Sequence, residues 1–135
     1  MLQYRIAAHR IDARGGLATT KEAALALDTS LAGRTDAFNP AELFLAAIAA
    51  CMIKGIERVT PMLHFELRGV AVELVAQRED TPPRIVSVHY VLTIDTDESE
   101  QRLQLLHTNV QRYGTIYNTV AAATELSGEI RRKSS

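Results

Sequence analysis

The chain has 135 residues, of which 47% are hydrophobic and 23% are charged, and its formal net charge is −1. This length and composition are typical of one globular domain, here residues 1–135, rather than of a disordered chain. A net charge near zero gives no basic footprint for nucleic acid, so no nucleic-acid partner is expected. The single cysteine excludes an internal disulfide framework and is typical of a reducing compartment.

The sequence also predicts a cytoplasmic protein without a membrane partner. The first ten residues, MLQYRIAAHR, lack the apolar run of a secretory signal peptide. The longest apolar run, from Leu43 to Ile53, has eleven residues. A membrane-spanning helix needs about 20 apolar residues.

The chain begins with a predicted β-hairpin. Residues 2–12 and 17–27 alternate between apolar and polar side chains and are predicted to be its two strands. Arg14-Gly15-Gly16 predicts the tight turn between them, because paired glycines supply the positive φ values that such a turn requires. The polar segment from Asp28 to Phe38 is predicted to be a loop.

A central helix is predicted for residues 39–60. Asn39 is suited to cap this helix, Pro40 to occupy its first position and Glu42 to complete a capping box. Because the run from Leu43 to Ile53 is apolar on every face, we expect the helix to be buried on all sides. The proline at position 61 marks its predicted end.

A second hairpin is predicted after the helix, with its turn at Asp80 to Pro83. Its two strands alternate apolar and polar residues, the apolar ones being Val70, Val72, Leu74 and Ala76 before the turn and Val86, Val88, Tyr90, Leu92 and Ile94 after it. This period of two is typical of strands with one buried face.

Two helices and a closing strand are predicted for the rest of the chain. Residues 99–112, capped by Asp97 or Ser99, place apolar side chains at helical spacing, namely Leu103, Leu106, Val110 and Tyr113. Gly114 interrupts this helical pattern. Residues 115–124 are predicted to form a second short helix with Ile116 and Val120 facing inward. Residues 125–131 alternate apolar and polar side chains and are predicted to be a strand. The order ββ-α-ββ-α-α-β indicates an α+β fold in which two hairpin sheets surround a long buried helix.

This order leaves little surface to enclose a helix that is apolar on every face. Two small sheets and two short helices from one chain are too few for that purpose. A second copy of the chain would supply the missing cover, and obligate dimers have large apolar interfaces. The sequence therefore predicts a homodimer.

Cys51, within the apolar run, is the first candidate for chemistry. Its thiol is either buried and inert, as free cysteines commonly are, or reactive, which requires a nearby cation that favours the thiolate. Arg58 shares its helix face but lies about 10 Å away along the axis. Arg14 and Arg34 are not constrained by helix geometry, and both remain candidates for that cation.

Other kinds of site find no support in the sequence. The four histidines have no metal-type spacing, namely His9, His64, His89 and His107. No phosphate-binding loop and no nucleophile elbow are present. We therefore expect neither a metal nor a cofactor.

The segment Asn39-Pro40-x-Glu42-Leu43, followed by Ala49-Ala50-Cys51, resembles the OsmC/Ohr family of hydroperoxide-stress proteins. Arg14-x-Gly16-x-Ala18-Thr19, the hairpin at 67–95 and the late segment YGTIYNTV extend the resemblance over nearly the whole chain. The resemblance implies an OsmC-like fold and an intertwined homodimer with its site at the interface. It also implies a cysteine peroxidase that reduces organic hydroperoxides.

The resemblance further implies roles for single residues. Cys51 matches the peroxidatic cysteine, and Arg14 matches the arginine that activates it. The family's carboxylate partner for this arginine aligns with Ala41, so the adjacent Glu42 is the candidate in its place. The resolving cysteine aligns with Gly114-Thr115, where this chain has no thiol.

Without a resolving thiol, a sulfenic acid on Cys51 needs an external thiol as its partner. The sequence therefore predicts a one-cysteine hydroperoxide reductase that uses an external thiol reductant. The alternative is a non-catalytic OsmC-like protein that binds a small apolar ligand, acyl or aromatic, at the dimer interface. A third possibility is a structural protein with a buried, inert thiol.

Overall fold

The computed structural model describes residues 1–134. Nine elements follow one another, namely β1 (Ala7–Asp12), β2 (Gly15–Thr20), β3 (Ala23–Asp28), α1 (Pro40–Met62), β4 (Gly69–Asp80), β5 (Pro83–Asp95), α2 (Glu100–Tyr113), α3 (Thr115–Ala121) and β6 (Glu125–Arg132). They form two compact units, a first unit of Met1–Phe44 and a second unit from Leu45 onward. The predicted α+β class is confirmed, and each of the two sheets has three strands.

The first unit carries the antiparallel sheet β1-β2-β3. The prediction of a single strand over residues 17–27 is wrong, because a turn at Lys21-Glu22 divides this segment into β2 and β3. Lys21 has a φ of 54°, in the left-handed region that hairpin turns use. Neither turn residue is glycine or asparagine, so this segment contains no recognisable turn signal. Strand β1 is also shorter than predicted and begins at Ala7.

The paired glycines of the first hairpin serve a purpose other than the predicted one. The turn consists of Ala13-Arg14, and neither Gly15 nor Gly16 has a positive φ. A Cβ on Gly16 would collide with the carbonyl oxygen of His9, and one on Gly15 would lie 2.5 Å from Nη1 of Arg34. Both glycines are therefore required for close approach of neighbouring groups.

Helix α1 begins as the sequence predicts. The Asn39 side-chain oxygen accepts the N–H of Glu42 at 2.8 Å, and Oε1 of Glu42 accepts the N–H of Asn39 at 2.9 Å. These two bonds form the capping box. The helix ends at Met62 rather than before Pro61, because a proline in the last turn removes only one bond near the helix end.

Only one face of α1 is buried in the single chain. The buried residues recur at helical spacing, namely Ile48, Met52, Gly55, Ile56, Val59 and Thr60. Ile53, inside the apolar run, is 39% exposed. The prediction of a helix buried on all sides is therefore wrong for one chain, whose own elements cover a single stripe. None of the helices in residues 1–134 is long and apolar enough to cross a bilayer.

The second unit contains the sheet β4-β5-β6, in which β5 pairs antiparallel with β4 and parallel with β6. The predicted second hairpin and closing strand are thus confirmed. Inward side chains of β5, β6, α2 and α3 are buried here, namely Val88, Tyr90, Leu92, Ile94, Leu103, Leu106, Val110, Val120 and Ile130. Ser99 caps α2, as one of the two predicted caps, by accepting the N–H of Arg102.

Two side chains of α2 and α3 that were predicted to face inward are exposed instead. Tyr113 is 51% exposed and Ile116 is 37% exposed. Gly114, between α2 and α3, has extended backbone angles, so α3 does not continue the helical phase of α2. The apolar stripe that ends at Val110 therefore does not extend through Tyr113 and Ile116.

Gly128 provides a test of the packing between β5 and β6. Gly128 lies opposite Tyr90, and a Cβ at Gly128 would lie 2.5 Å from two atoms of the buried Tyr90 ring. We expect Gly128→Ala to lower the free energy of unfolding by about 1–3 kcal/mol, because its Cβ would also collide with the main-chain carbonyl oxygen of Tyr90, so that the strands and the buried ring would have to shift. Urea denaturation measures this change. Glu129→Ala, at an exposed position of the same strand, is the matched control, and equal stability of the two variants would contradict this packing.

Candidate functional site

Cys51 lies on α1 within the second unit and is half-buried. Its sulfur faces the junction between α2 and α3, where Sγ is 3.1 Å from the position that a Cβ on Gly114 would occupy. The thiol is therefore packed on one side by main chain and is not fully enclosed. One interpretation of the sequence was a buried, inert thiol, and in the single chain this thiol is half-buried.

Gly114 allows the main chain to approach the sulfur. Its φ of −80° and ψ of 117° are accessible to any residue, so conformation alone does not require glycine. Space favours glycine, because a Cβ there would also lie 3.0 Å from Cβ of Tyr117 and 3.2 Å from the carbonyl oxygen of Val110, and these neighbours would have to shift by a few tenths of an ångström. The position that the resemblance aligned with a resolving cysteine is thus adjacent to Cys51 in space.

A buried polar network lies close to this junction. The hydroxyl of Tyr90 is 2.6 Å from Nε2 of His107 and accepts a hydrogen bond from the side-chain amide of Gln111 at 3.0 Å. The Tyr117 ring packs edge-on against Tyr90, with 6.4 Å between ring centroids. Burial raises the pKa of Tyr90 and lowers the pKa of His107. Both groups are therefore neutral at pH 7 and share a hydrogen bond.

The sequence reasoning did not find this network. His107, which the sequence analysis considered only as a possible metal ligand, is buried in the second unit. A signal was present, because His107 lies four residues after Leu103 and three before Val110, both on the buried stripe of α2. Its partner, Tyr90, comes from a strand and is not apparent from helical spacing.

Arg14 and Glu42, the other predicted site residues, both belong to the first unit. The main-chain N–H of Arg14 donates to a carboxylate oxygen of Asp12 at 2.8 Å. Within residues 1–134 the guanidinium of Arg14 has no hydrogen bond or ion pair. The Glu42 carboxylate bonds the main chain of Asn39 in the capping box.

A second arginine of the first unit is more firmly held. Nε and Nη2 of Arg34 donate to the two carboxylate oxygens of Asp36, at 2.8 and 3.0 Å. This two-point geometry is the strong form of the arginine–carboxylate pair. The hydrogen bond from Arg34 lowers the pKa of Asp36.

The loop that carries Arg34 is organised by Asp28, which is buried. The Asp28 carboxylate accepts the hydroxyl of Ser30 at 2.7 Å, the N–H of Ser30 at 3.0 Å and the N–H of Arg34 at 2.9 Å. The hydroxyl bond from Ser30 is the main cause that lowers the pKa of Asp28. Asp28 therefore remains ionised at neutral pH and holds the loop in one shape.

Metal-type clusters are not found in the part of the chain that the structure describes. No three side chains of histidine, cysteine, aspartate or glutamate converge there in a way that could hold an ion.

Several solved structures have the same fold. An OsmC-like protein from Mycoplasma pneumoniae gives a TM-score of 0.90 at 15% identity, over 98% of this chain and 99% of that chain. The organic hydroperoxide resistance protein OsmC from Legionella pneumophila gives 0.76 at 22% identity, over 96% and 98% of the two chains. The organic hydroperoxide resistance protein OhrB of Bacillus subtilis gives 0.71 at 18% identity, also over 96% and 98%.

At sequence identities of 15–22%, the structural similarity to these three proteins shows a shared fold. Among curated proteins, none matches the chain significantly. The sequence model of the family described as OsmC-like protein matches residues 33–128. This match spans most of the chain and includes Arg34, Cys51 and Gly114. The chain therefore belongs to the OsmC-like protein family.

Proposed function

We propose that the protein is a thiol-dependent peroxidase that reduces organic hydroperoxides through Cys51. The observation that carries this proposal is the half-buried sulfur of Cys51, which is packed against the main chain at Gly114. Family membership supports it, and two structures of the same fold are named organic hydroperoxide resistance proteins. The reducing cytoplasm is the proposed compartment, because it keeps a lone cysteine as a thiol.

In the first step the Cys51 thiolate attacks the terminal oxygen of the hydroperoxide. The S–O bond forms as the O–O bond breaks, and the leaving alkoxide takes a proton to become an alcohol. A cation favours the thiolate that this attack requires. The resemblance gives this role to Arg14. Glu42 is the proposed carboxylate partner, and one of its two oxygens already accepts the Asn39 N–H.

In the second step an external thiol reduces the sulfenic acid. Its sulfur attacks Sγ of Cys51, a mixed disulfide forms and water leaves, and a second thiol then releases Cys51. The chain supplies no internal alternative, because position 114 is glycine and Cys51 is its single cysteine.

We also propose an intertwined homodimer, because the first unit has almost no core of its own. Its buried residues are Gly15, Gly16 and Asp28, and all six residues of β1 are exposed. Apolar side chains such as Ile11, 62% exposed, and Leu25, 46% exposed, lie on this sheet. A small sheet needs an apolar surface to pack against, and a second copy supplies it.

The oxidation products of Cys51 test the one-cysteine cycle. One equivalent of an alkyl hydroperoxide should add one or more oxygens to the chain, because no second thiol is present to form a disulfide. A small thiol added at the same time should give a mixed disulfide instead. Intact mass spectrometry under non-reducing, denaturing conditions distinguishes these products, and Cys51→Ser should remain unmodified.

Two results of that experiment would contradict the proposed cycle. A predominant disulfide-linked dimer would show that two Cys51 residues meet, against their placement in separate packed helices. A wild-type chain left unmodified by excess hydroperoxide would favour the alternative function, in which an apolar ligand binds without catalysis.

Gly114→Cys should convert the protein to a two-cysteine form. The new Cβ would lie 3.1 Å from Sγ of Cys51, a gap that a sulfur–sulfur bond of about 2.05 Å can close. After one equivalent of hydroperoxide, we expect an internal disulfide and no thiol adduct, measured by intact mass with and without reductant. Tyr113→Cys, at the exposed neighbouring position, is the control. Equal disulfide yields in the two variants would show that the sulfur does not face Gly114.

The homodimer is tested by light scattering after size exclusion. We expect twice the mass of one chain down to low micromolar protein, because separation would expose apolar surface of the first-unit sheet and of α1. Circular dichroism on the same samples shows whether the protein is folded. A well-folded monomer at these concentrations would contradict the proposal that a second copy covers the first-unit sheet.

A further inference from the structure

We propose that His107 is a pH-sensitive positioning residue for Cys51. Neutral His107 fixes α2 on the sheet of the second unit through Tyr90, and protonation of His107 loosens the junction of α2 and α3 that covers one side of the sulfur. Such control acts on access to the thiol and is independent of the proposed hydroperoxide chemistry. All the residues that carry it belong to the second unit.

The first observation is a buried imidazole without a counter-ion. His107 is 8% exposed and lies on the buried face of α2. Within residues 1–134 it forms no ion pair, and burial is the cause of its lowered pKa. A positive charge at this position is costly, because no carboxylate compensates for the lost hydration. The folded protein therefore disfavours the charged form of His107.

The elements packed around α2 supply no charge to this region. Strand β5 contributes Tyr90, and α3 contributes Tyr117, whose ring packs against Tyr90. The titratable group of α1 on this side is the thiol of Cys51. The other buried side chains of α1 and β6 are apolar apart from one hydroxyl, namely Ile48, Met52, Ile56, Val59, Thr60 and Ile130.

The charged side chains of α2 itself do not neutralise the imidazole either. They are Glu100 and Arg102 near the start of the helix and Arg112 near its end. Within residues 1–134, none of the three forms a hydrogen bond or an ion pair with His107. A proton taken up by His107 therefore stays without a compensating charge while α2 keeps its position.

The second observation is the hydroxyl of Tyr90, which bonds two side chains of α2. It lies 2.6 Å from Nε2 of His107 and accepts the amide of Gln111 at 3.0 Å. A neutral imidazole can accept a hydroxyl hydrogen at Nε2, whereas a charged imidazole has hydrogen on both nitrogens and only donates. Protonation therefore directs two donors at one oxygen and removes His107 as an acceptor for Tyr90. Such a mismatch is costly at a tyrosine with no exposed surface.

The third observation connects Tyr90 to the sulfur. The Tyr117 ring packs edge-on against Tyr90, with 6.4 Å between the ring centroids. A Cβ on Gly114 would lie 3.0 Å from Cβ of Tyr117 and 3.1 Å from Sγ of Cys51. Tyr117 and the sulfur are thus packed around the same glycine. A movement of α2 away from Tyr90 therefore alters the cover of Cys51.

The direction of the pH effect follows from the lowered pKa of His107. An unfolded chain binds this proton with the ordinary pKa of about 6.5. The stability that neutral His107 contributes is therefore fully present above about pH 6.5, and it is lost as the pH falls from there through the lower pKa of the folded state. The same proton uptake favours any opened form in which the imidazole is hydrated. We expect Cys51 to become more accessible in this acidic range.

The test measures the reaction of Cys51 with 2,2′-dithiodipyridine, a reagent that reacts with thiols at acid as well as neutral pH. Each rate is divided by the rate of the same protein unfolded in urea at the same pH, so that the chemistry of the reagent cancels. In the wild type this ratio should rise severalfold from about pH 7.5 to about pH 5.5, with about tenfold per pH unit as the limit for one proton.

His107→Gln should leave the ratio nearly constant, because glutamine stays neutral and keeps an acceptor for the Tyr90 hydroxyl. His89→Gln, at an exposed position of β5, is the matched control and should behave like the wild type. Circular dichroism and urea denaturation at both pH values show whether each variant is folded.

A ratio that rises equally in the wild type and in folded His107→Gln overturns the proposal, and so does a ratio that stays constant in the wild type. If His107→Gln does not fold, the imidazole NMR signals of the wild type decide. Titration of His107 at lower pH than His89, together with the rising ratio, supports the proposal. Titration of both histidines at the same pH overturns it.

Discussion

The contact between the sulfur of Cys51 and the main chain at Gly114 depends on how closely α1 and α2 approach each other. Gly55 of α1 faces Val110 of α2, and a Cβ on Gly55 would lie 3.4 Å from a Val110 methyl group. Cys51 is one turn before Gly55, and Gly114 is one turn after Val110. The two helix segments therefore run in opposite directions, and the close approach at Gly55 brings the sulfur to Gly114 one turn further along.

Tyr90 connects this helix pair to the sheet of the second unit. Gly128 leaves room for the Tyr90 ring on the neighbouring strand, and the hydroxyl of this ring bonds His107 and Gln111 of α2. A buried hydroxyl without a partner is costly, so these bonds favour one position of α2 on the sheet. The position of the thiol thus depends on glycines that permit contact and on one tyrosine that anchors the helix.

Patterns within one element were enough to predict much of the fold. The alternation in β5 and the capping box of Asn39 and Glu42 identified their elements, because both signals are local. The turn at Lys21-Glu22 was missed because its left-handed residue is a lysine, which the surrounding strands hold in that conformation. The exposure of Ile53 was missed because burial depends on which faces the rest of the chain covers.

The candidate site was also only partly predicted from patterns within single elements. Cys51 was found because it is the single cysteine and lies within a family motif. Arg34 was named as a candidate cation, but its pairing with Asp36 in the first unit was not predicted, since opposite charges two residues apart are common in surface loops. What distinguishes this pair is Gly15, which lies 19 residues before Arg34 and on a different strand. The requirement that position 15 lack a side chain follows from where the guanidinium lies, and that position is set by the buried Asp28. Such a dependence between distant residues leaves no periodic pattern, so only the folded unit reveals it.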